Sequence, residues 1–241
     1  MSRLITILLM LSFLPGCKKE VVADDDISFI SFINTVPGVG TISVYFDTTY
    51  QFRVPYQGSY RNGQLSEGPH IISIKDSAKV KTFANLPFQD FFAGKSSTII
   101  AYDTLHPLDS TIKAIRLTDD LTLAPSGYVK VRFIHAAFTP SVDITFLRTN
   151  TTPADSLTFS MQSYVGLSPN DPILSAFKNI PIGTYSLKIK RAGTQETIMN
   201  NTMLSVSNLA GVAGISGIST IYFSGGAQGK PLSIGLLRHY P

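Results

Sequence analysis

One pair of short hydrophobic stretches occurs twice in this chain, and that recurrence limits its fold more than any other feature. Ile30-Ser31-Phe32-Ile33-Asn34 leads through a turn with Pro37, Gly38 and Gly40 into Ile42-Ser43-Val44-Tyr45-Phe46. Val131-Arg132-Phe133-Ile134-His135 leads through Pro140 into Val142-Asp143-Ile144-Thr145-Phe146. Phe32 and Phe133 lie 101 positions apart (133 − 32), and the second turn is one residue shorter. In the second stretch of each pair, apolar residues alternate with polar or aromatic ones, so one set faces a core and the other faces solvent.

The recurrence continues downstream. Residues 68–75 parallel 182–190, residues 97–102 parallel 219–224, and each copy closes on a further strand, 112–117 and 232–238. A unit of about 100 residues with roughly seven short strands has the size of an immunoglobulin-like sandwich. Two such all-β sandwiches are therefore expected in tandem, over 27–123 and 127–241, with a single larger barrel as the alternative. Leu123-Ala124-Pro125-Ser126-Gly127 breaks the pattern between them. Composition agrees: 44% of residues are hydrophobic, enough for real cores, only 15% are charged, and 18 Gly and 14 Pro supply the turns. The formal charge of +4 comes from scattered Lys and Arg, which excludes a nucleic-acid-binding face.

The junction carries a family resemblance. Residues 114–120, then Pro125 and Gly127, then Val129-Lys130-Val131-Arg132-Phe133-Ile134-His135-Ala136 with Val142-Asp143-Ile144 beyond, resemble the repeated unit of bacterial domain of unknown function family 4397. The resemblance implies tandem β-sandwich units in exported, often lipid-anchored proteins, each opening with an Arg-aromatic-aliphatic-His-Ala strand. In the first copy Ser31 and Asn34 stand in place of that Arg and His. Residues that vary between copies of one chain read as architectural.

The amino terminus predicts export. Met1 to Arg3 is a short basic start, residues 4–14 are almost wholly apolar, and Pro15-Gly16-Cys17 follows. A run of 11 positions (4 to 14) is too short to span a bilayer, which takes about 20 residues. Leu14-Pro15-Gly16-Cys17 resembles the lipobox of bacterial lipoproteins, with Pro15 a departure from the commonest residue there. That resemblance implies removal of residues 1–16 and lipidation, palmitate included, of Cys17, the chain's one cysteine. Residues 17–26 then form a polar tether whose acidic Asp24-Asp25-Asp26 resembles a surface-export signal. The expected location is the outer membrane of a Gram-negative bacterium, facing the cell surface, with the periplasmic face as the alternative.

No catalytic, metal or cofactor site is expected. His135 and Asp143 are the one pair that could orient a general base, but no nucleophile sits in a recognisable elbow, and a strand-end histidine bonded to backbone is the plainer reading. His70, His106 and His239 lack metal-ligand spacing. Asp24 to Asp26 and the pair Asp119-Asp120 read as solvated linker and turn. Five Asp-Ser/Thr tripeptides place hydroxyls at Thr48, Ser77, Thr104, Ser110 and Ser156, and resemble acceptor sites of a bacterial O-glycosylation system; ordinary turn openers are the competing reading. The function expected is a non-enzymatic binding, adhesion or structural display role for an envelope protein or glycan partner. An accessory subunit of an outer-membrane uptake or secretion complex is the alternative. Contacts are expected at the turns 35–40 and 136–141 and at the insertion 160–179, which has no counterpart in the first copy.

Overall fold

A computed structural model describes residues 26–106, 108–149, 156–205 and 217–239. These form sixteen strands and one short 3₁₀ turn, Pro172–Ser175. The first eight strands are β1 (Ile27–Asn34), β2 (Thr41–Phe46), β3 (Thr49–Pro55), β4 (Ser59–Ser66), β5 (Gly68–Asp76), β6 (Thr82–Phe91), β7 (Ser96–Tyr102) and β8 (Lys113–Asp119). The second eight are β9 (Tyr128–His135), β10 (Val142–Arg148), β11 (Ser156–Gln162), β12 (Lys178–Pro181), β13 (Thr184–Arg191), β14 (Thr197–Ser205), β15 (Ile218–Ser224) and β16 (Ser233–His239).

Each set makes two four-stranded sheets in the same order, β4-β1-β7-β8 with β3-β2-β5-β6, and β12-β9-β15-β16 with β11-β10-β13-β14. In both sets the first strand runs parallel to the seventh, so that Phe32 faces Ile99 and Phe133 faces Ile221 in register. The all-β sandwich expected from the sequence is present, with eight strands per set where about seven were expected.

Alternation builds the two sandwich cores. Val142, Ile144 and Phe146 of β10 and Tyr185, Leu187 and Ile189 of β13 point inward, while Asp143, Thr145, Lys188 and Lys190 point out. Strands β7 and β15 break that rule, because all seven residues of each are buried. Their second faces meet a third cluster, in which Ile33, Ile100, Tyr102 and Leu117 from the first set pack on Ile134, Tyr222 and Leu237 from the second. The sheets β4-β1-β7-β8 and β12-β9-β15-β16 thus lie face to face, with β16 against β4 and the 3₁₀ turn against β8. The Tyr222 hydroxyl donates across this seam to the carbonyl of Gln57 at 2.9 Å. At roughly 1.5–3 kcal/mol per fully buried aliphatic or aromatic side chain, such a cluster holds the two sandwiches as one body.

Candidate functional site

The polar groups nominated by the sequence are best judged by what they bond. At the seam Arg132 is wholly buried and pairs with Asp119, also wholly buried, at 2.8 Å. Ser96 and Thr98 donate to the Asp119 carboxylate at 3.1 and 2.9 Å. Arg132 in turn donates to Thr98 at 3.0 Å and to Thr220 at 2.8 Å, and its guanidinium lies 4.6 Å from the Phe177 ring. Thr220 accepts from both Nε and Nη2 of Arg132, at 3.1 and 2.8 Å, which fills its lone pairs and leaves its proton for His239 Nε2, 2.8 Å away. That nitrogen must be an acceptor, so His239 is a neutral imidazole whose Nδ1 proton faces Asp119 at 3.7 Å. Burial pushes its pKa down to about 4, with Asp119 opposing and Arg132 reinforcing the shift.

Asp119 is therefore no solvated turn residue, and this corrects the sequence expectation. It is the counter-ion that lets Arg132 cross between sandwiches. Asp120 does stay exposed, and its salt bridge to Lys130, 2.7 Å long, together with bonds from Thr122 lowers its pKa to about 2.

His135 and Asp143 do not meet. The His135 Nδ1 accepts from the Ala137 amide at 3.3 Å, which leaves Nε2 to donate to the Pro140 carbonyl at 3.1 Å. Asn34, its counterpart, does the same work: Oδ1 accepts from the Val36 amide at 3.2 Å and Nδ2 donates to the Gly40 and Val54 carbonyls. Burial lowers the His135 pKa, keeping it neutral. Asp143 instead accepts from the backbone of Met161 at 2.7 Å and Gly193 at 3.0 Å. Both residues are turn clasps, which for His135 is the plainer reading, a strand-end histidine bonded to backbone.

A hydroxyl, imidazole and carboxylate do line up elsewhere. His70 Nδ1 lies 2.7 Å from Asp47 Oδ2, and Nε2 lies 3.3 Å from Ser66 Oγ. The order is that of a hydrolytic triad. Yet Nε2 is also 3.1 Å from the Ser66 carbonyl oxygen, Ser66 is exposed, and half of the Asp47 side chain is in water. In that setting the cluster ties the β2–β3 turn to the start of β5, helped by the Ile71 amide donating to Asp47.

The loops proposed for binding are mostly committed to packing. In the turn 35–40, Thr35, Val36, Pro37 and Val39 are buried, and a β-carbon on Gly38 (φ +80°) would run into the Gln228 side chain. In 136–141, Ala136 and Ala137 are buried and Phe138 donates its amide to Gly225. The insertion 160–179 sends Val165 and Leu174 into the seam cluster and presses Tyr164 against Tyr102 and His135. It is a brace between sandwiches rather than a free loop. Beneath it a cavity of ≈ 70 Å³, lined by Phe133, His135, Tyr164, Asp171 and Leu174 among others, is far smaller than the roughly 300–1,000 Å³ of ligand pockets.

Of the hydroxyls in Asp-Ser/Thr tripeptides, Thr48, Ser77 and Ser156 are exposed, and Thr104 and Ser110 half-buried. The preceding aspartates work as turn formers: Asp76 accepts from the amides of Val80 and Lys81, Asp103 from that of Thr104, and Asp109 from that of Thr111. Asp155 and Cys17 lie outside the described residues. Among the described residues no group of three or more His, Cys, Asp or Glu could hold a metal ion, and no helix is long and apolar enough to cross a membrane.

Residues 28–145 match the family model described as a domain of unknown function (DUF4397), a span that includes the junction residues on which the resemblance rests. No curated protein matches the sequence. Among solved structures, a crystal structure of a Bacteroides uniformis protein provisionally named for cell adhesion aligns over 90% of this chain and 99% of its own, at 8% identity and a TM-score of 0.24. So low a score carries no argument about this chain.

Proposed function

We propose that this chain, which through residues 28–145 belongs to the DUF4397 family, is a lipid-anchored envelope protein that acts by display and binding, without catalysis. The observation that carries the non-catalytic part is where its acids, bases and hydroxyls are spent. Arg132, Asp119, Thr98, Thr220 and His239 join two sandwiches, while His135, Asp143, Asp47 and His70 hold turns. A body of this kind presents two outer sheets and its exposed turns at fixed geometry, which suits recognition by preorganised surface. The two eight-strand sets are read as domains 27–123 and 127–241 arisen by duplication, since their sheet orders coincide.

The anchor rests on Leu14-Pro15-Gly16-Cys17 and on the lone cysteine. Two or three acyl chains hold durably where one holds weakly, each buried methylene contributing about 0.8 kcal/mol. Intact mass of native protein is expected to begin at Cys17 with fatty acid attached, and Cys17→Ala to leave the membrane fraction. A native chain that retains residues 1–16, or whose sulfur is bare, defeats the anchor. The same spectrum reads glycosylation at Thr48, Ser77, Thr104, Ser110 and Ser156, where a mass equal to chain plus lipid removes it. Protease shaving of intact cells reports the membrane face.

A further inference from the structure

The outward face of β3-β2-β5-β6 carries a cluster of aromatic and cationic side chains. Tyr45 and Tyr50 pack edge to face with ring centroids 5.6 Å apart. Lys75 Nζ sits 4.3 Å from the Tyr45 ring and Lys79 Nζ 3.8 Å from that of Tyr50. Arg53 bonds only the Ser77 carbonyl, at 3.2 Å. Among the described residues none of these three cations pairs with a carboxylate. Asp76, their neighbour in sequence, spends Oδ1 on two backbone amides.

Beneath the cations lies Ser43. It stands in register with Arg53 on one side and Lys75 on the other, on the face opposite Ile42 and Val44, which point into the core. Its hydroxyl is fully buried and has no hydrogen-bond partner. Among the described residues four buried hydroxyls lack a partner, those of Ser43, Tyr164, Ser219 and Ser224, and Ser43 is the one that neighbours unpaired cations on this face. At the matching place in the second sandwich stands Asp143, whose carboxylate is satisfied by two backbone amides, and Thr145, bonded to Thr158, replaces Tyr45. The second outer face also carries cations, Lys188 and Lys190, but among the described residues only the first combines them with aromatic rings and an unsatisfied hydroxyl.

We infer that this face binds an acidic polysaccharide, sugar rings lying on Tyr50 and Tyr45 and anionic groups taken by Lys75, Lys79 and Arg53. The inference deepens the display reading and rests on it for access to such a polymer. Tyr50 is 39% exposed and Tyr45, with Lys75 over it, only 8%; a cation over a ring is held more weakly than one in a charge-assisted hydrogen bond, so the lysines leave the rings when an anion arrives. Lifting Lys79 uncovers the Tyr50 ring, and lifting Lys75 uncovers the Tyr45 ring and the neighbouring Ser43 hydroxyl for a further bond. Three cations without carboxylate partners make the occupant anionic, and two phenol rings make it one with flat apolar faces.

The test uses purified full-length protein with polygalacturonate, neutral dextran and polyglutamate, followed by calorimetry. Polygalacturonate is expected to bind, dextran not, and polyglutamate more weakly than polygalacturonate. Lys79 has a positive φ of 66°, so the variant is Lys75→Gln/Lys79→Asn, asparagine tolerating that backbone. It should weaken polygalacturonate by about tenfold or more, the scale of a lost hydrogen bond to a charged group. Tyr50→Ala should weaken it several-fold and leave polyglutamate unchanged, while Lys188→Gln/Lys190→Gln on the other outer sheet should change neither. Equal losses from the two lysine pairs, equal binding of polyglutamate, or no binding of polygalacturonate overturns the inference. Intact mass of the same preparation reads the lipid on Cys17, so failure of the anchor and failure of the ligand are seen separately.

Discussion

The charged network at the seam and the outer face of the first sandwich treat their ionic side chains in opposite ways, although Ser224 on β15 and Tyr164 in the brace, like Ser43, have buried hydroxyls without partners. At the seam, Arg132, Asp119, Thr98, Thr220 and His239 lie out of water, and each has its partners. On β3-β2-β5-β6, Lys75 and Lys79 rest on tyrosine rings, and Ser43 beneath them bonds nothing. A buried charge that is fully partnered fixes one arrangement, because any other leaves it uncompensated. A flexible surface cation loses little by moving. The contrast separates groups that hold the molecule together from groups available to something outside it.

The sharpest way to break the contrast is Arg132→Met, which strands Asp119 without its cation. The expected loss is about 3–5 kcal/mol, read as a lower midpoint in urea. Arg132→Met with Asp119→Leu should recover much of that loss, because no charge is then left buried; a double variant as weak as the single would mean that the pair itself, and not its stranded half, sets stability. Leu237→Ala removes packing from the same seam and should cost roughly 2–5 kcal/mol. Both are expected to destabilise the molecule in one transition. Separate melting of the two sandwiches in the parent protein would contradict the single body described above.

Acid sharpens the contrast in the same direction. His239 stays neutral in the fold down to about pH 4, whereas an unfolded histidine takes a proton near 6.5. The unfolded chain then binds more protons between those values, so the contribution is complete above about pH 6.5 and is lost as pH falls toward about 4. His135, held neutral by burial, acts with the same sign. The melting temperature should drop across this window and His239→Gln should flatten the drop; a parent profile that is level from neutrality to about pH 4.5 contradicts the neutral imidazole.

The smallest effect is expected on the outside. Lys75→Gln/Lys79→Asn and Lys188→Gln/Lys190→Gln should each leave stability within about 0.5 kcal/mol of the parent, since surface substitutions away from caps and networks do so. A large loss from the first pair would move those lysines from recognition to architecture.

The strands that could be read in advance share one physical trait. β1, β2, β5, β7 and their counterparts β9, β10, β13 and β15 are the inner strands of the four sheets, flanked on both sides, and their apolar runs were visible in the sequence, alternating in β2 and β10 and nearly continuous in β7 and β15. β3, β4, β6, β11, β12 and β14 are edges, and none was singled out beforehand. Edge strands carry Pro55, Pro87 and Pro181 and residues such as Phe88 and Met161 at positive φ, devices that blunt an edge and blur its pattern. The edges that were legible, β8 and β16, contribute Leu117 and Leu237 to the seam.

The site was legible in a different measure. The variation of Ser31 against Arg132 and Asn34 against His135 marked those residues as architectural, and their bonds agree. Nothing in the sequence paired Arg132 with Asp119, 13 positions earlier (132 − 119), or brought His239 to them from the far end of the described chain. Alternation placed Tyr45 on the solvent side, but it is only 8% exposed, with Lys75 of the next strand over its ring and Tyr50 packed against it.

Local periodicity by itself determined the β class, the inner strands, the repeated order and the junction, because alternation is written within a few neighbouring residues. Only the tertiary structure decided that two inner sheets would close on each other. The second faces of β7 and β15 look like any other buried strand until a partner sheet is present to cover them. Burial of that seam turned Asp119 from a turn residue into a counter-ion, while on the outer face of the first sandwich the Ser43 hydroxyl is buried without a hydrogen-bond partner.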